Sequence, residues 1–397
     1  MYRRSFLVST GLLGVRSQTR LAETQSKPTD QIGPWVEIDA AAVRFNVAQL
    51  QSRSGRPLWA VLKNNAYGHG LIEVGKILDS VGSSVRGLAV FKVSSALRLR
   101  SAGIGKPILV LGPATDEEFR ELVARRIIPT LYTARQRLIK NLATELQEAV
   151  PAHLYLDTGL GRAGLQYRQA AEFLRLWGKD SGVRFGGVLT ALTEEDDFDL
   201  EQIRRLEEVF RLAAREGLDL GQRHAASSAG IFHLPSASQL DVVRPGIGIY
   251  GCYPTDRSEK ARPFELRPAL SLKTRVMVVK KLEAGDSLQY HRVWKASRAT
   301  WVATLAAGHH DGWPSATAGT CEVFIRGRRY PVVASVSSNH TLVELGSTTG
   351  VEPGDEVLLF GKSEAGSIEA HEVAKSISGS VYQLLMHVNP ELPRVVV

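Results

Sequence analysis

The 397-residue chain predicts an α/β protein, a (β/α)8 barrel followed by a mostly β C-terminal domain. Two observations carry this. From residue 57 to about 250, short apolar runs alternate with stretches of helical periodicity, the pattern of a parallel sheet. Beyond about Pro263 the texture turns to β-rich runs punctuated by Gly, Asp and Asn. The chain divides accordingly into a leader and linker over 1–31, a barrel over 32–262 and a β-rich unit over 263–397.

In chain order, Trp35–Asp39 is an early strand that suits either domain. Barrel strands are expected at Leu58–Leu62, Gly87–Val90, Ile108–Leu111, Ile127–Leu131, Ala152–Leu156, Phe185–Leu189, Gln222–Ala226 and Val242–Arg244. Helical stretches between them include Asp116–Arg126, Ala134–Glu148, Gln169–Lys179 and Leu200–Glu216. Such a barrel carries its reactive groups at the C-terminal ends of its strands. Lys63, Arg162, Ser228 and Arg244 fall at or just past such ends. The second unit shows β runs at Leu270–Leu282, Thr300–Ala306, Cys321–Ile325, Tyr330–Val336, Thr341–Glu344 and Glu356–Phe360, closed by a helical piece around Glu369–Leu385.

Bulk chemistry narrows the function. The net charge of +8 is spread among acids without a basic block, which speaks against nucleic acid and allows mild attraction of anionic ligands. Cys252 and Cys321, with no CxxC, support neither a disulfide framework nor a zinc cluster; two free thiols are favoured over one bridge. No metal is implied. Arg3-Arg4-Ser5-Phe6-Leu7 leads into an apolar stretch, Phe6–Val15, too short to span a bilayer. Twin arginine followed by Phe-Leu has the pattern of a Tat export signal, with a polar linker over Arg16–Gln31. Export to the periplasm is the expectation and a cytoplasmic chain with a frayed head the alternative. No other segment predicts stable membrane insertion.

The most informative run is Ala60–Gly70, AVLKNNAYGHG. A lysine closing a buried apolar strand is partly desolvated, which favours the neutral, nucleophilic amine. A plain lysine snorkelling to water is the competing reading. The run resembles the cofactor-lysine motif of the alanine racemase family, in which this lysine binds pyridoxal 5'-phosphate (PLP) covalently. The resemblance covers about Trp35 to Val397. It implies an amino-acid racemase acting on alanine or a broader set, working as a homodimer with shared active sites.

Residue by residue, the resemblance makes Lys63 the cofactor lysine and places Tyr67 beside the phosphate. His224–Gly230 is a strand-to-helix turn of small and hydroxyl residues, suited to phosphate at a helix N-terminus. Within it Ser228 takes the phosphate-binding serine's position. In Asp241–Gly251, the amides of Gly246 and Ile247 also hold phosphate and Arg244 contacts the pyridine nitrogen; an ion pair of Arg244 with Asp241 is the plainer alternative. Leu156–Gly164 matches the DTGxGRxG loop, with Arg162 near the cofactor's phenolic oxygen and the substrate carboxylate. Tyr290 matches the tyrosine base, which with Lys63 completes a two-base pair across Cα, donated by the other subunit. A half-buried strand tyrosine is its ordinary alternative.

Several positions depart from the pattern. Ala191 stands where a ring-stacking histidine orients the base tyrosine, and Tyr155 where an often carbamylated lysine positions the loop arginine. His309 replaces a substrate-side tyrosine, and Ser338-Asn339 replace a Met-Asp pair at the substrate carboxylate, leaving Ser338 as a substrate-binding candidate. No tyrosine for a further phosphate contact is found around Asn389-Pro390. Cofactor anchorage is thus expected to be retained and the substrate side altered. Two further readings compete: another amino-acid reaction on this fold, and a PLP-binding homologue with little or no racemase activity.

Overall fold

After a first strand, β1 (Trp35–Ile38), the computed structural model closes eight parallel strands into a barrel. It describes residues 32–177, 182–235, 240–348 and 350–397. The Tat-like segment 1–31 and the end of the helix expected over Gln169–Lys179 lie outside them. β2 (Leu58–Val61) pairs β3 (Val85–Val90), which pairs β4 (Ile108–Val110). A bridge between Leu109 and Ile128 leads on to β5 (Thr130–Leu131), which pairs β6 (Val150–Asp157). The two-residue β7 (Leu165–Gln166) flanks β6, and β8 (Val183–Leu189) and β9 (Gln222–His224) complete the run. Residues 242–244 close the circle, because Trp59 N–H donates to Val243 C=O at 2.8 Å and Val61 N–H to Pro245 C=O at 3.0 Å.

Local chemistry sets the helix boundaries. The helix Asp116–Ala124 opens on a capping box: the Thr115 hydroxyl accepts the Glu118 N–H at 3.1 Å, and the Glu118 carboxylate accepts the Thr115 N–H at 2.8 Å. The helix Asp196–Arg215 begins ahead of the expected Leu200, because Asp196, Asp197 and Asp199 suit the positive end of its dipole. The helix expected over Ala134–Glu148 runs over Gln136–Leu146.

The β-rich unit contains β10 (Leu270–Leu282), the hairpin β11 (Ser287–Leu288) and β12 (Trp294–Lys295), and β13 (Thr300–Leu305). β14 (Glu322–Ile325), β15 (Arg328–Val333), β16 (Thr341–Gly346), β17 (Glu356–Ser363), β18 (Gly366–Ile368) and β19 (Arg394–Val396) follow. The large sheet runs β18-β17-β14-β15-β16-β13-β10-β1-β19, and β10 also pairs β17, rolling the sheet up. The early strand therefore joins this sheet, not the barrel. Lys273 of β10 ties it there, donating to Glu37 and to Glu356 at 2.8 Å each. Burial alone depresses that lysine's pKa, but the two carboxylates outweigh it and hold the amine charged. The expected helical piece around Glu369–Leu385 is two helices, Ala370–Ser376 and Val381–Met386. Both cysteines are buried free thiols. Among the described residues, no helix is long and apolar enough to cross a membrane, and no His, Cys, Asp and Glu cluster is set to hold a metal.

Candidate active site

Lys63 sits just past its strand. β2 ends at Val61, Leu62 makes one more parallel bond to Ala89 C=O at 2.8 Å, and Lys63 opens a turn. That turn is left-handed: Asn64, Asn65, Ala66 and Tyr67 have φ of 53°, 55°, 54° and 52°. Side chains on such backbone cost roughly 1–2 kcal/mol per residue, least for Asn, so surrounding contacts must hold it. Asn65 supplies one by accepting the Leu71 N–H at 2.9 Å. Gly68, at φ 84°, ends the turn where a Cβ would lie 2.0 Å from the Leu385 carbonyl oxygen. The Lys63 amine is half-buried, 5.7 Å from the centre of the Tyr67 ring. Burial lowers its pKa from the ordinary lysine value, and the charge of Arg162 lowers it further.

Tyr67 leads to a cluster of backbone amides around the Ser228 hydroxyl, a candidate anion cradle. A Cβ on Gly246 would lie 2.3 Å from the Tyr67 hydroxyl oxygen, so glycine there permits the close approach. The Ser228 hydroxyl accepts the N–H of Gly246 at 3.0 Å and of Gly248 at 3.1 Å. The Ile247 amide lies between them. Tyr250 and Tyr382 stand 5.1 and 6.2 Å from the Tyr67 ring, centre to centre. Tyr382 corrects the expectation that this region lacks a further tyrosine. It lies seven residues before Asn389, on the helix Val381–Met386, and its distance along the chain hid it.

Arg244 is buried, and among the described residues no carboxylate pairs with it. Its terminal nitrogens donate to the carbonyls of His224, of Thr190 at 2.5 Å and of Ala225 at 3.3 Å, which leaves Nε–H and one Nη1–H as further donors. Burial pushes its pKa down to about 10, so it keeps its proton at neutral pH. Asp241 instead forms a two-point pair with Arg223, both contacts at 3.0 Å, so the plainer reading of Arg244 fails. Beneath Arg244, His153 Nδ1 and His224 Nε2 lie 3.1 Å apart inside the barrel. Burial, then the Arg244 charge, pushes His153 down to about 3 and His224 well below its usual value, so both rings are neutral.

Ala191 follows Thr190, whose carbonyl holds Arg244, and its own carbonyl accepts from Gln202 at 3.0 Å. Its backbone is fixed, but no imidazole projects from it. Tyr155 is buried edge-on to Tyr132, 5.2 Å between ring centres. Arg162 is exposed on a loop pinned by the Asp157 carboxylate, which accepts from the amides of Gly159 and Gly161 at 3.0 and 3.1 Å. Within one chain the structure brings Lys63, Tyr67, Ser228, Arg244, Gly246 and Ile247 together. Tyr290, between β11 and β12, is not brought to them: it is 80% exposed, and among the described residues no hydrogen bond or ring contact links it to Lys63. His309 and Ser338 also lie exposed on the second domain, 3.3 Å apart through Nε2 and Oγ.

Comparison with known proteins matches both halves. A family model described as the alanine racemase N-terminal domain covers residues 38–254, and one described as the C-terminal domain covers 269–396. The alanine racemase of Carboxydothermus hydrogenoformans is 34% identical over 370 residues, spanning 91% of this chain and 99% of that protein. That of Sorangium cellulosum is 32% identical over 376 residues, spanning 90% and 97%. Among solved structures, alanine racemase from Clostridium difficile 630 superposes with a TM-score of 0.84 at 28% identity, covering 92% of this chain and 96% of that one. That of Streptomyces lavendulae gives 0.83 at 27%, covering 92% and 97%.

The electrostatics carry a signed prediction. Because the Arg162 charge disfavours a second cation nearby, Arg162→Met raises the Lys63 pKa. The pH midpoint of Lys63 acetylation in cofactor-free protein, followed by mass spectrometry, is expected to move up; an unchanged or lower midpoint refutes the coupling.

Proposed function

The chain belongs to the alanine racemase family, and on that premise we propose that it is a PLP-dependent isomerase that interconverts L- and D-alanine and accepts further amino acids. The observation that carries this reading is the half-buried Lys63 amine at a strand end, beside a Tyr67, Ser228, Gly246 and Gly248 anion cradle. The residues fit the cofactor. Lys63 would hold it covalently, Tyr67, Ser228 and the Gly246 and Ile247 amides its phosphate, Arg244 Nε its ring nitrogen, and Arg162 its phenolic oxygen. When bound, PLP supplies the electron sink that makes a substrate Cα–H acidic.

The chain's own residues supply the rest. A lowered pKa keeps more of the Lys63 amine neutral and able to take a proton from Cα on one face. Tyr290 of the partner subunit serves the opposite face, so that a proton leaves one side and returns on the other. Arg244 stays protonated and passes no proton to the ring nitrogen, which moderates the electron sink and disfavours side reactions. Arg162 and Ser338 take the substrate carboxylate. Ala191 offers no imidazole to orient Tyr290, and this favours slow turnover as the second reading.

Cα deuteration and chiral product analysis, run with individual L-amino acids in D2O, decide between these readings. Exchange accompanied by D-product is expected. A yellow, borohydride-reducible protein without exchange would leave a cofactor-binding homologue, and absence of the yellow form would remove the Lys63 assignment.

The working unit we propose is a homodimer with shared sites. Tyr290 at 80% exposure and Val293 at 58% lie on one hairpin, the kind of exposed apolar surface that a second copy covers. Mixing Lys63→Ala with Tyr290→Phe subunits tests it. Hybrid dimers hold one intact site if the two residues come from different chains, so activity is expected to return; no recovery in verified hybrids overturns sharing.

We also propose that the chain is exported through the Arg3-Arg4 signal. Arg3→Lys with Arg4→Lys is expected to retain the protein in the cytoplasm, and equal periplasmic recovery of both forms would refute the assignment.

A further inference from the structure

The left-handed turn after Lys63 is held from outside the barrel by a buried arginine of the last strand. Arg394 is 7% exposed and makes five hydrogen bonds to four carbonyls. Two of its nitrogens meet Gly68 C=O, Nε at 3.3 Å and Nη2 at 2.9 Å. The others reach Pro390 and Leu392 at 2.9 Å and Asn389 at 3.2 Å. Among the described residues no carboxylate hydrogen-bonds to this guanidinium. The same stretch of chain touches the turn twice more: Asn64 Nδ2 lies 2.9 Å from Met386 Sδ, and the Leu385 carbonyl is packed so closely on Gly68 that only glycine fits.

The contact also extends away from the turn. Asn389 donates its N–H to Asp311 C=O at 3.3 Å, and its side chain lies 3.3 Å from His310 Nε2. Gly312 packs against Val388, where a Cβ would lie 2.6 Å from Val388 Cα. The 308–312 segment of the second domain and the lysine turn of the barrel are thus gripped by one short stretch, Leu385 to Arg394, with Arg394 at its barrel end.

We propose that Arg394 is a positioning residue for Lys63: by fixing the Gly68 carbonyl it holds the strained turn in the left-handed form that presents the lysine amine, and it ties that presentation to the second domain. A guanidinium suits the task because its forked donors satisfy several carbonyls at once, which a single ammonium on a flexible stem cannot do. Without it the Asn64–Tyr67 backbone relaxes toward ordinary φ values and the amine gains water. The proposal takes from the proposed function only the importance of Lys63, and its test reads that amine directly.

The experiment uses the full chain, cofactor-free and PLP-loaded, as wild type, Arg394→Met and Arg394→Lys. In Arg394→Met the acetylation midpoint of Lys63 is expected to rise toward the ordinary lysine value of about 10.4. Amide hydrogen exchange over 64–71 is expected to quicken roughly 10-fold while barrel-strand amides keep their protection. PLP is expected to leave roughly 10-fold faster as preorganisation is lost. Arg394→Lys, which keeps the charge and part of the donor set, should fall between, and if Arg394→Met does not fold it is read alone by the same criteria. An unchanged Lys63 midpoint with unchanged exchange at 64–71 overturns the proposal. So does exchange that quickens equally in the turn and the barrel strands, which marks a merely structural role. A shifted midpoint in a protein that never binds PLP would sink the racemase reading and leave the positioning role standing.

Discussion

Closure of the barrel by three backbone hydrogen bonds, from Trp59 to Val243, from Val61 to Pro245 and from Val243 to Pro57, is the constraint on which the rest depends. A parallel sheet needs long crossovers, and only a closed one leaves no unpaired edge. Closure sets the first barrel strand beside the last and so brings the lysine turn against the segment Arg244–Gly248. The short distances follow from that register. Gly246 meets Tyr67, and its amide, with that of Gly248, reaches the Ser228 hydroxyl. A one-residue slip would turn every side chain of the strand to the opposite face and dissolve the cradle.

The interior handles buried charge in a consistent way. Arg244 and Arg394 are both enclosed and both bonded to backbone carbonyls, not to carboxylates. Such partners satisfy the donors without neutralising the charge, so Arg244 remains a fixed positive group facing the site. The two histidines beneath it answer by staying neutral, since a second cation in that low-dielectric space costs too much. The second domain uses the opposite arrangement at Lys273, where two carboxylates surround one amine and the result is a strut between strands.

Much of this was legible along the chain. Alternating apolar and helical stretches marked the eight strands within about three residues, because a barrel strand buried on both faces is an apolar run whatever its neighbours. The motif around Lys63 was legible because a lysine closing an apolar strand is desolvated, and because the run Ala60–Gly70 resembles the family's cofactor-lysine motif; the left-handed turn that follows it was not legible. Tyr382 was missed. It comes to Tyr67 from a helix more than 300 residues away, and a lone tyrosine on a six-residue helix has no local signal. The role of Arg223 was missed for the same reason, as Asp241 has arginines at 223 and 244 and only the fold chooses between them.

Sequence alone determined the barrel, the β-rich second unit and the identity of the groups at the strand ends, because periodicity and turn chemistry are local properties. It also showed where the chain departs from the family's pattern, since Ala191, Tyr155 and Ser338 are visible as letters. Only the tertiary structure decided that the early strand joins the second sheet, that Arg244 is held by carbonyls with N–H donors to spare, and that Arg394 grips the lysine turn. It also left Tyr290 on the surface, away from Lys63 of its own chain. Those outcomes depend on which distant backbone groups meet when the strands close, and no window of sequence contains both halves of such a contact.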